Sequence, residues 1–221
     1  MLKNTRIIVT GANGNLGMKT VSKAAGYGAN VVGIDKKKDD NNATNVINID
    51  LTKVDAIENL VSSVGTIDAL VNIAGGFVAD TGIKKTDLQN WDNMMEMNVT
   101  TLRNMVSVVL PIMKAQKKGK IINIGALSAI NGKAGMSAYT CSKSIVSRLT
   151  ESLAEELKDQ NINVNAILPA IIDTPENRNE MPNENYKNWV STDDLAEVIC
   201  FLCSERAKAI NGALIPVAGF S

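Results

Sequence analysis

Two side chains able to handle a proton lie four positions apart in the stretch SAYTCSK, residues 137–143. Tyr139 and Lys143 have the spacing that places two residues on one face of a helix, about 5–6 Å apart at Cβ. The chain contains no histidine, so proton transfer near neutral pH needs another side chain with a shifted pKa. The pair is either a proton donor with the cation that tunes it or two helix residues that share a face by chance. Spacing alone does not choose between these readings.

A glycine-rich turn follows the first apolar run, in TGANGNLG, residues 10–17. Its glycines at 11, 14 and 17 allow left-handed backbone angles and close approach of a phosphate to the main chain. A helix that begins in this turn would direct unpaired N–H groups and its positive end toward that phosphate. A plain Gly/Asn turn has the same composition, so the context of the turn must decide.

An acid, Asp35, ends the next strand-like run, 18 residues beyond Gly17. A carboxylate at this place accepts hydrogen bonds from the ribose of an adenosine, which favours a dinucleotide site over a plain turn. Asp35 would also repel a 2′-phosphate, so the sequence predicts NAD over NADP. Lys36, Lys37 and Lys38 follow directly and would offset that repulsion in part.

Short apolar, β-branched runs alternate with helical stretches along the chain, which predicts a doubly wound, Rossmann-like parallel sheet of about seven strands with helices on both faces. No linker, repeat or low-complexity tract interrupts the pattern, so residues 1–221 are expected to form a single α/β domain. The expected strands are 6–10, 30–35, 45–49, 67–74, 120–125, 162–168 and 213–217, and the expected helices are 15–27, 53–63, 87–117, 138–159 and 192–203.

The composition argues against several classes of partner. Lysine plus arginine equals aspartate plus glutamate, at 23 each, so nothing favours nucleic acid or an anionic membrane. The longest apolar run is too short to span a bilayer, and no signal peptide is expected. Three cysteines fit a reducing, cytoplasmic location. Cys200 and Cys203 are predicted to pack inside a helix rather than serve redox chemistry, and no metal site is expected.

The glycine loop, the strand-end acid and the Tyr-x-x-x-Lys pair together resemble the short-chain dehydrogenase/reductase family over essentially the whole chain. The loop has TGxxGxxG spacing; the more common form carries its middle glycine one place later, where this chain has Asn15. NIAGG (72–76) is similar to the family's N-N-A-G segment, and NAILPA (165–170) resembles its N-x-x-x-P-G segment. Asn98 in MNVTT matches the family's helix asparagine.

This resemblance implies an oxidoreductase in which Tyr139 exchanges a proton with the substrate while hydride passes to or from a nicotinamide. Lys143 would hold the nicotinamide ribose and, with the oxidised ring, lower the pKa of Tyr139; a shift of ~3 units requires roughly 4 kcal/mol. Asn98 would anchor a relay water. A homodimer or homotetramer formed by the helices at 87–117 and 138–159 is also implied. The residues implied in cofactor binding are Gly11, Asn13, Gly14, Asn15, Leu16, Gly17, Asp35, Asp50, Leu51, Asn72, Ala74, Gly75, Tyr139, Lys143, Pro169, Ile172 and Thr174.

One position departs from the family pattern. Ala126 stands 13 residues before the tyrosine, where the family usually carries a serine that holds the substrate oxygen. Loss of one such donor typically costs ~10²–10³ in rate. Ser128 either substitutes for it or is an ordinary loop serine.

The departure leaves two alternatives beside reduction of a small carbonyl or imine. Two stretches around Ala126 and residues 173–182 are similar to dihydropteridine reductases, which implies a quinonoid pterin substrate with Asn177, Arg178 and Met181 near it. A regulator that senses NAD(H) without catalysis is the other alternative.

Overall fold

The computed structural model describes residues 1–37, 46–79 and 88–220. Seven strands form one parallel sheet in the order β3-β2-β1-β4-β5-β6-β9, and two more form a separate short ladder, β7-β8. The predicted parallel α/β sheet is therefore confirmed. The strands are β1 (Arg6–Thr10), β2 (Asn30–Asp35), β3 (Ile47–Asn48), β4 (Ala69–Asn72), β5 (Gly119–Ile124), β6 (Ile162–Pro169), β7 (Ile172–Asp173), β8 (Val190–Ser191) and β9 (Leu214–Val217).

Helices join these strands as the alternation predicted. The expected helix at 87–117 is interrupted by one π turn, Glu96–Thr100, which separates two α-helical segments. None of the helices in the described residues has both the length and the apolar character needed to cross a bilayer. The helices are α1 (Asn15–Gly26), α2 (Val54–Val64), α3 (Leu88–Met95), α4 (Thr101–Gln116), α5 (Ser137–Leu157), α6 (Pro175–Glu180) and α7 (Thr192–Leu202).

Successive strand residues supply opposite faces of the sheet, as a period of two requires. In β4, Leu70 belongs to the core shared with α2, α4 and α5, whereas Val71 belongs to the core shared with α1 and α7. Because helices cover both faces, both residues are fully buried. This double burial explains why the strands are almost continuously apolar.

The strand order reverses beside β1, which pairs with β2 on one side and with β4 on the other. In a doubly wound sheet this reversal opens a crevice at the carboxyl ends of the strands, where ligands bind. The glycine loop follows β1, and the NIAGG segment follows β4. The fold therefore brings both motifs to the same edge of the sheet.

The β7-β8 ladder and α6 were not anticipated as regular structure. Ile172 pairs with Val190 and Asp173 with Ser191, so the ladder brings the two ends of the intervening chain segment together. We call this segment, residues 172–191, the lid. Two-residue strands and a six-residue helix are too short to show a hydrophobic period, which is why the sequence pattern missed them.

The close approach of α1 to the end of β1 depends on Gly17. A Cβ added at Gly17 would overlap the Gly11 carbonyl oxygen and lie 2.8 Å from Ala12 Cα. We expect Gly17→Ala to lower the free energy of unfolding by about 2 kcal/mol or more, because backbone rather than a flexible side chain must move. Urea denaturation followed by circular dichroism measures this change.

Gly26 in the same helix provides the matched control, since a Cβ there meets nothing within 4 Å. Gly26→Ala should leave the free energy of unfolding unchanged or raise it by up to about 1 kcal/mol. Equal stability of the two variants would show that Gly17 is not a packing constraint.

Candidate active site

Lys143 is buried on α5, and its ammonium group has a backbone partner. Nζ donates a 2.8 Å hydrogen bond to the carbonyl oxygen of Ile124, the last residue of β5. Burial disfavours the charged form and lowers the pKa of Lys143 to about 8. The amine therefore keeps its charge at neutral pH and becomes neutral at mildly alkaline pH.

Tyr139 lies one helical turn before Lys143 and packs against an aromatic ring. The ring centroids of Tyr139 and Phe77 are 5.0 Å apart, with an edge-on interplanar angle of 85°. Burial raises the pKa of Tyr139 to about 12. The downward shift was predicted for a site that also holds an oxidised nicotinamide; in the chain by itself, removal of the phenol from water shifts the pKa of Tyr139 the opposite way.

The amide of Asn98 joins the loop after β4 to α5. Its Oδ1 accepts from Gly76 N (3.0 Å), and its Nδ2 donates to Gly76 O (3.1 Å) and to Ser142 Oγ (3.0 Å). Ser142 Oγ in turn donates to the carbonyl oxygen of Tyr139 (2.8 Å). Asn98 lies in the π turn, a local widening of the helix that recurs at functional sites.

Asn98 and Lys143 meet at Gly75. A Cβ at Gly75 would lie 2.6 Å from Asn98 Oδ1 and 3.4 Å from Lys143 Nζ. Glycine is required here by this close approach. The structure therefore brings the predicted residues Asn98, Lys143 and Gly75 together, with Tyr139 on the adjacent turn of α5.

Neither the glycine loop nor the first turn of α1 supplies an anionic partner for the start of this helix. Gly11 adopts φ +67°, and its missing side chain lets Ala74 N approach. Gly14 is the N-cap residue and contributes no side-chain hydrogen bond, and the first turn of α1 contains no acid. Unpaired N–H groups and the positive helix end thus remain for an external anion.

Two backbone N–H groups fix the carboxylate of Asp35 at the end of β2. Oδ2 accepts from Asn13 N and Oδ1 from Lys37 N, both at 2.9 Å. Lys36 instead pairs with Asp50, with 3.3 Å between Nζ and Oδ2. The expectation that Lys36, Lys37 and Lys38 offset in part the repulsion of a 2′-phosphate stays a prediction, and Lys38 lies outside the described residues.

Asp50 and Leu51 are held in place at the end of the β3 segment. Backbone and hydroxyl hydrogen bonds from Thr52, together with Lys36, lower the pKa of Asp50. The buried Asn104 on α4 donates to the Leu51 carbonyl oxygen at 3.0 Å. Asn104 was missed because an isolated asparagine in an amphipathic helix carries no recognisable pattern.

Asn72 occupies the core rather than the surface of the crevice. Its side chain is 3% exposed, and Nδ2 donates to Asn123 Oδ1 on β5 at 2.9 Å. Asn123 Nδ2 in turn donates a hydrogen bond to Thr150 Oγ1 on α5. Asn72 Oδ1 has no hydrogen-bond partner in the described residues. The side chain ties two strands together, and the cofactor contact predicted for Asn72 stays a prediction.

Thr10 orients the NIAGG segment at the crevice. Its Oγ1 accepts from the backbone N–H groups of Ile73 (3.1 Å) and Ala74 (3.0 Å). This places the backbone of Ala74 against Gly11 in the glycine loop. The predicted sites Ala74 and Gly11 thus adjoin each other.

The lid begins just after Pro169, the last residue of β6, and two of its polar side chains form hydrogen bonds within it. Thr174 caps α6 by accepting from Asn177 N at 3.2 Å, and Asn177 Nδ2 donates to Ile172 O at 2.8 Å. These contacts fix the backbone at Ile172 and Thr174, the two residues that were predicted to contact the cofactor.

Arg178 forms a two-point ion pair with Asp173, at 2.6 and 2.7 Å. Its guanidinium also lies 4.2 Å from the centre of the Tyr186 ring. Met181 donates its N–H to Asn177 O, at the end of α6. The groups predicted near a ligand, Asn177, Arg178 and Met181, are thus tied first to the lid itself.

Ala126 is buried at the end of β5, so the structure has no hydroxyl at the position where the family carries its serine. Ser128 lies in the following 3₁₀ turn, Leu127–Ala129. Ser144 on α5 ties this turn down by donating to Ala129 O at 2.9 Å. The site therefore differs from the family pattern at its oxyanion position.

Cys200 and Cys203 are buried in and just after α7 and are not joined by a disulfide. Burial raises the pKa of the Cys200 thiol to about 12 and that of Cys203 well above its usual range. Both behave as packing residues, as the helical pattern predicted.

The family comparison agrees with this geometry. The family model described as short chain dehydrogenase matches residues 5–185. The chain is 30% identical to the short-chain dehydrogenase/reductase olcF of Penicillium canescens, covering 98% of this chain and 96% of the relative. It is also 30% identical to a 7alpha-hydroxysteroid dehydrogenase of Bacteroides fragilis, covering 98% and 94%.

Solved structures match across the same span. A 3-ketoacyl-(acyl-carrier-protein) reductase from Brucella melitensis complexed with NADH superposes with a TM-score of 0.85 at 25% identity, covering 99% of this chain and 98% of that one. A variant of ElxO with NADPH bound has the same fold, with a TM-score of 0.90, 21% identity and 98% coverage of both chains. The chain belongs to the short-chain dehydrogenase/reductase family, a class of NAD(P)-dependent oxidoreductases.

The buried amine of Lys143 makes stability depend on pH. Its folded pKa of about 8 lies below the ordinary value of 10.5, so the unfolded chain binds more protons between these pH values. The free energy of unfolding therefore rises with pH through this window. We expect Lys143→Met to be more stable than the wild type at pH 7, by up to about 3 kcal/mol, and the difference to shrink toward zero by pH 10.5.

Urea denaturation at several pH values measures this difference, and Lys133→Met, at an exposed lysine, controls for the change in net charge. A gap between the wild type and Lys143→Met that stays constant from pH 7 to 10.5 would show that burial does not depress this pKa.

Proposed function

We propose that the protein is an NAD(H)-dependent oxidoreductase that transfers hydride between a nicotinamide and a small carbonyl or imine. The observation that carries this proposal is the meeting of Asn98 and Lys143 at Gly75, one helical turn from Tyr139. Two polar groups gathered around one glycine, beside a phenol, form an arrangement for positioning and proton transfer. A bound nicotinamide dinucleotide would supply the hydride chemistry.

Tyr139 is proposed as the proton donor during reduction. With a pKa of about 12, the phenol is protonated throughout the neutral range and can donate to a developing oxyanion. Lys143, charged below about pH 8, is proposed to hold the nicotinamide ribose and to stabilise the phenolate left after transfer. Alcohol oxidation runs the same transfer in reverse and needs the phenolate first.

Asn98 is proposed to position neighbouring groups of the site rather than to transfer a proton itself. Its Nδ2 donates to Gly76 O and Ser142 Oγ, and its Oδ1 accepts from Gly76 N. We therefore propose that the relay water expected at Asn98 is held by the backbone of the π turn.

NAD is proposed as the preferred cofactor because the Asp35 carboxylate is fixed by Asn13 and Lys37 at the strand end. Lys36 points to Asp50 instead, which leaves less positive charge for the 2′-phosphate of NADP. The NADH complex of the Brucella reductase supports a nicotinamide cofactor in general. NADP is the alternative, and a ratio of dissociation constants for NADH and NADPH decides between them.

Ala126 favours a second candidate substrate. A quinonoid dihydropterin is already an activated, imine-like acceptor, so hydride transfer to it depends less on a serine hydroxyl. The same missing hydroxyl motivates a regulator that senses NAD(H) without catalysis. Retention of Tyr139 beside the buried Lys143 counts against the regulator, because binding alone does not need a phenol that can donate a proton.

We also propose that the protein is a cytoplasmic homodimer or homotetramer. On α5, Cys141, Ile145, Arg148 and Ser152 form an exposed stripe at helical spacing. Ile145 is 41% exposed on this stripe, which supports pairing of α5 with a second copy. The unpaired thiols Cys200 and Cys203 support a reducing compartment.

Removal of the Tyr139 hydroxyl tests the proton donor. We expect Tyr139→Phe to lower kcat for NADH-dependent carbonyl reduction by about 10²-fold or more, because a general acid is lost while the ring remains. Fluorescence titration should show an NADH affinity within about threefold of the wild type.

Tyr27→Phe is the control, since that phenol donates to Glu197 between α1 and α7. A Tyr139→Phe variant that reduces carbonyls at the wild-type rate would refute the acid role. A wild type that binds NADH yet reduces neither carbonyls nor quinonoid dihydropterin would favour the regulator.

Restoring the hydroxyl at position 126 separates the candidate substrates. We expect Ala126→Ser to raise kcat/KM for simple carbonyls by about tenfold or more, since it adds an oxyanion donor. Activity toward quinonoid dihydropterin should change little. Ser128→Ala, measured in parallel, reports whether Ser128 already fills this role: a loss of carbonyl activity there, with no gain in Ala126→Ser, would assign the donor to Ser128.

A further inference from the structure

A polar contact joins the lid to the glycine loop. Asn15 Nδ2, on the first residue of α1, donates a 2.7 Å hydrogen bond to Glu176 Oε2 on α6. The two residues are 161 positions apart in sequence. This contact therefore joins the lid to the start of the helix where a diphosphate is proposed to bind.

Glu176 brings a negative charge to this place. Hydrogen bonds from its own backbone N–H, from Thr174 and from Asn15 stabilise the carboxylate and lower its pKa. Lys37, beside the Asp35 carboxylate, contributes a favourable charge. The carboxylate is therefore ionised at neutral pH.

The first turn of α1 has no acid of its own to offset the positive helix end, and the nearby Asp35 carboxylate is held by Asn13 N and Lys37 N. Gly14 gives no side-chain cap, and the first turn of α1 contains no acidic residue. An anion near a helix N-terminus is favoured by the helix dipole and the unpaired N–H groups. Glu176 brings an anion next to the first residue of α1, through the Asn15 side chain.

We propose that Glu176 is a built-in competitor of the cofactor diphosphate: it binds Asn15 in the free chain and must leave when a dinucleotide enters. This inference rests on the proposed function, because it requires the dinucleotide to use the same loop. Glu176 thereby sets the affinity for the dinucleotide, and its release loosens the lid from α1. The negative charge of Glu176 weakens binding of the anionic diphosphate at this site.

Glu176→Gln isolates the charge, because glutamine keeps an oxygen that accepts from Asn15. Glu180→Gln is the matched control: Glu180 is an exposed acid at the end of the same helix, and its substitution changes net charge equally. The probes are NADH, ADP-ribose and adenosine, of which only adenosine lacks the diphosphate. Isothermal titration calorimetry at low and high salt gives each dissociation constant.

The expected result is that Glu176→Gln binds NADH and ADP-ribose about three- to tenfold more tightly than the wild type. Adenosine binding should not change, and Glu180→Gln should match the wild type for all three probes. The gain should shrink at high salt, because screening weakens the repulsion that the variant removes.

Equal or weaker binding of ADP-ribose by Glu176→Gln would overturn the inference and would assign Glu176 to holding the lid closed. Equal gains for Glu176→Gln and Glu180→Gln would overturn it as well, since a general effect of net charge would then suffice. Absence of dinucleotide binding by the wild type would instead overturn the proposed function, and this inference with it.

Discussion

The burial of the Lys143 ammonium is the interaction on which the rest of the site depends. A buried ammonium is costly unless it has partners, and its hydrogen bond to the Ile124 carbonyl oxygen ties α5 to the end of β5. Since Tyr139 lies on the preceding turn of α5, the same bond fixes where the phenol lies. Gly75 must then lack a side chain, because Lys143 Nζ and Asn98 Oδ1 fill the space beside it.

The hydrogen bonds of Asn98 complete this arrangement from the opposite side. Its amide joins Gly76 and Ser142, so the loop after β4 and helix α5 are held by one side chain. The π turn gives Asn98 this position by shifting the helix by one residue between α3 and α4. Strand end, loop and two helices are thus linked around a single point, which is what preorganisation of a proton donor requires.

The sheet and the motifs at its carboxyl edge were predictable because they depend on local patterns. Apolar runs such as β4, the glycines at 11 and 17, and the four-residue spacing of Tyr139 and Lys143 are each visible in a short window of sequence. The direction of the Tyr139 pKa shift was not, because it depends on burial, which many distant residues determine together. The inward direction of Asn72 and the pairing of Lys36 with Asp50 were missed for the same reason.

The lid was harder to predict than the sheet, since its structure is fixed by side-chain contacts rather than by a hydrophobic period in the sequence. Arg178 with Asp173, Thr174 with Asn177, and Glu176 with Asn15 fix three parts of it. Only the last of these joins the lid to another element.

Ala126 and the protonation state of Tyr139 together restrict the chemistry that the site favours. With no hydroxyl at 126, the phenol becomes the main proposed partner for a developing oxyanion. A phenol of raised pKa donates a proton less readily than one of lowered pKa, so transfer is easiest to an acceptor that gains much basicity as hydride arrives. An alkoxide formed from a carbonyl is such a base, but with no hydroxyl at 126 it depends on the Tyr139 proton alone. A conjugated imine spreads the charge over its own ring system and depends less on any single donor. The missing serine is therefore the feature that supports the proposed imine-like acceptor, while the raised pKa of Tyr139 by itself does not choose between the two.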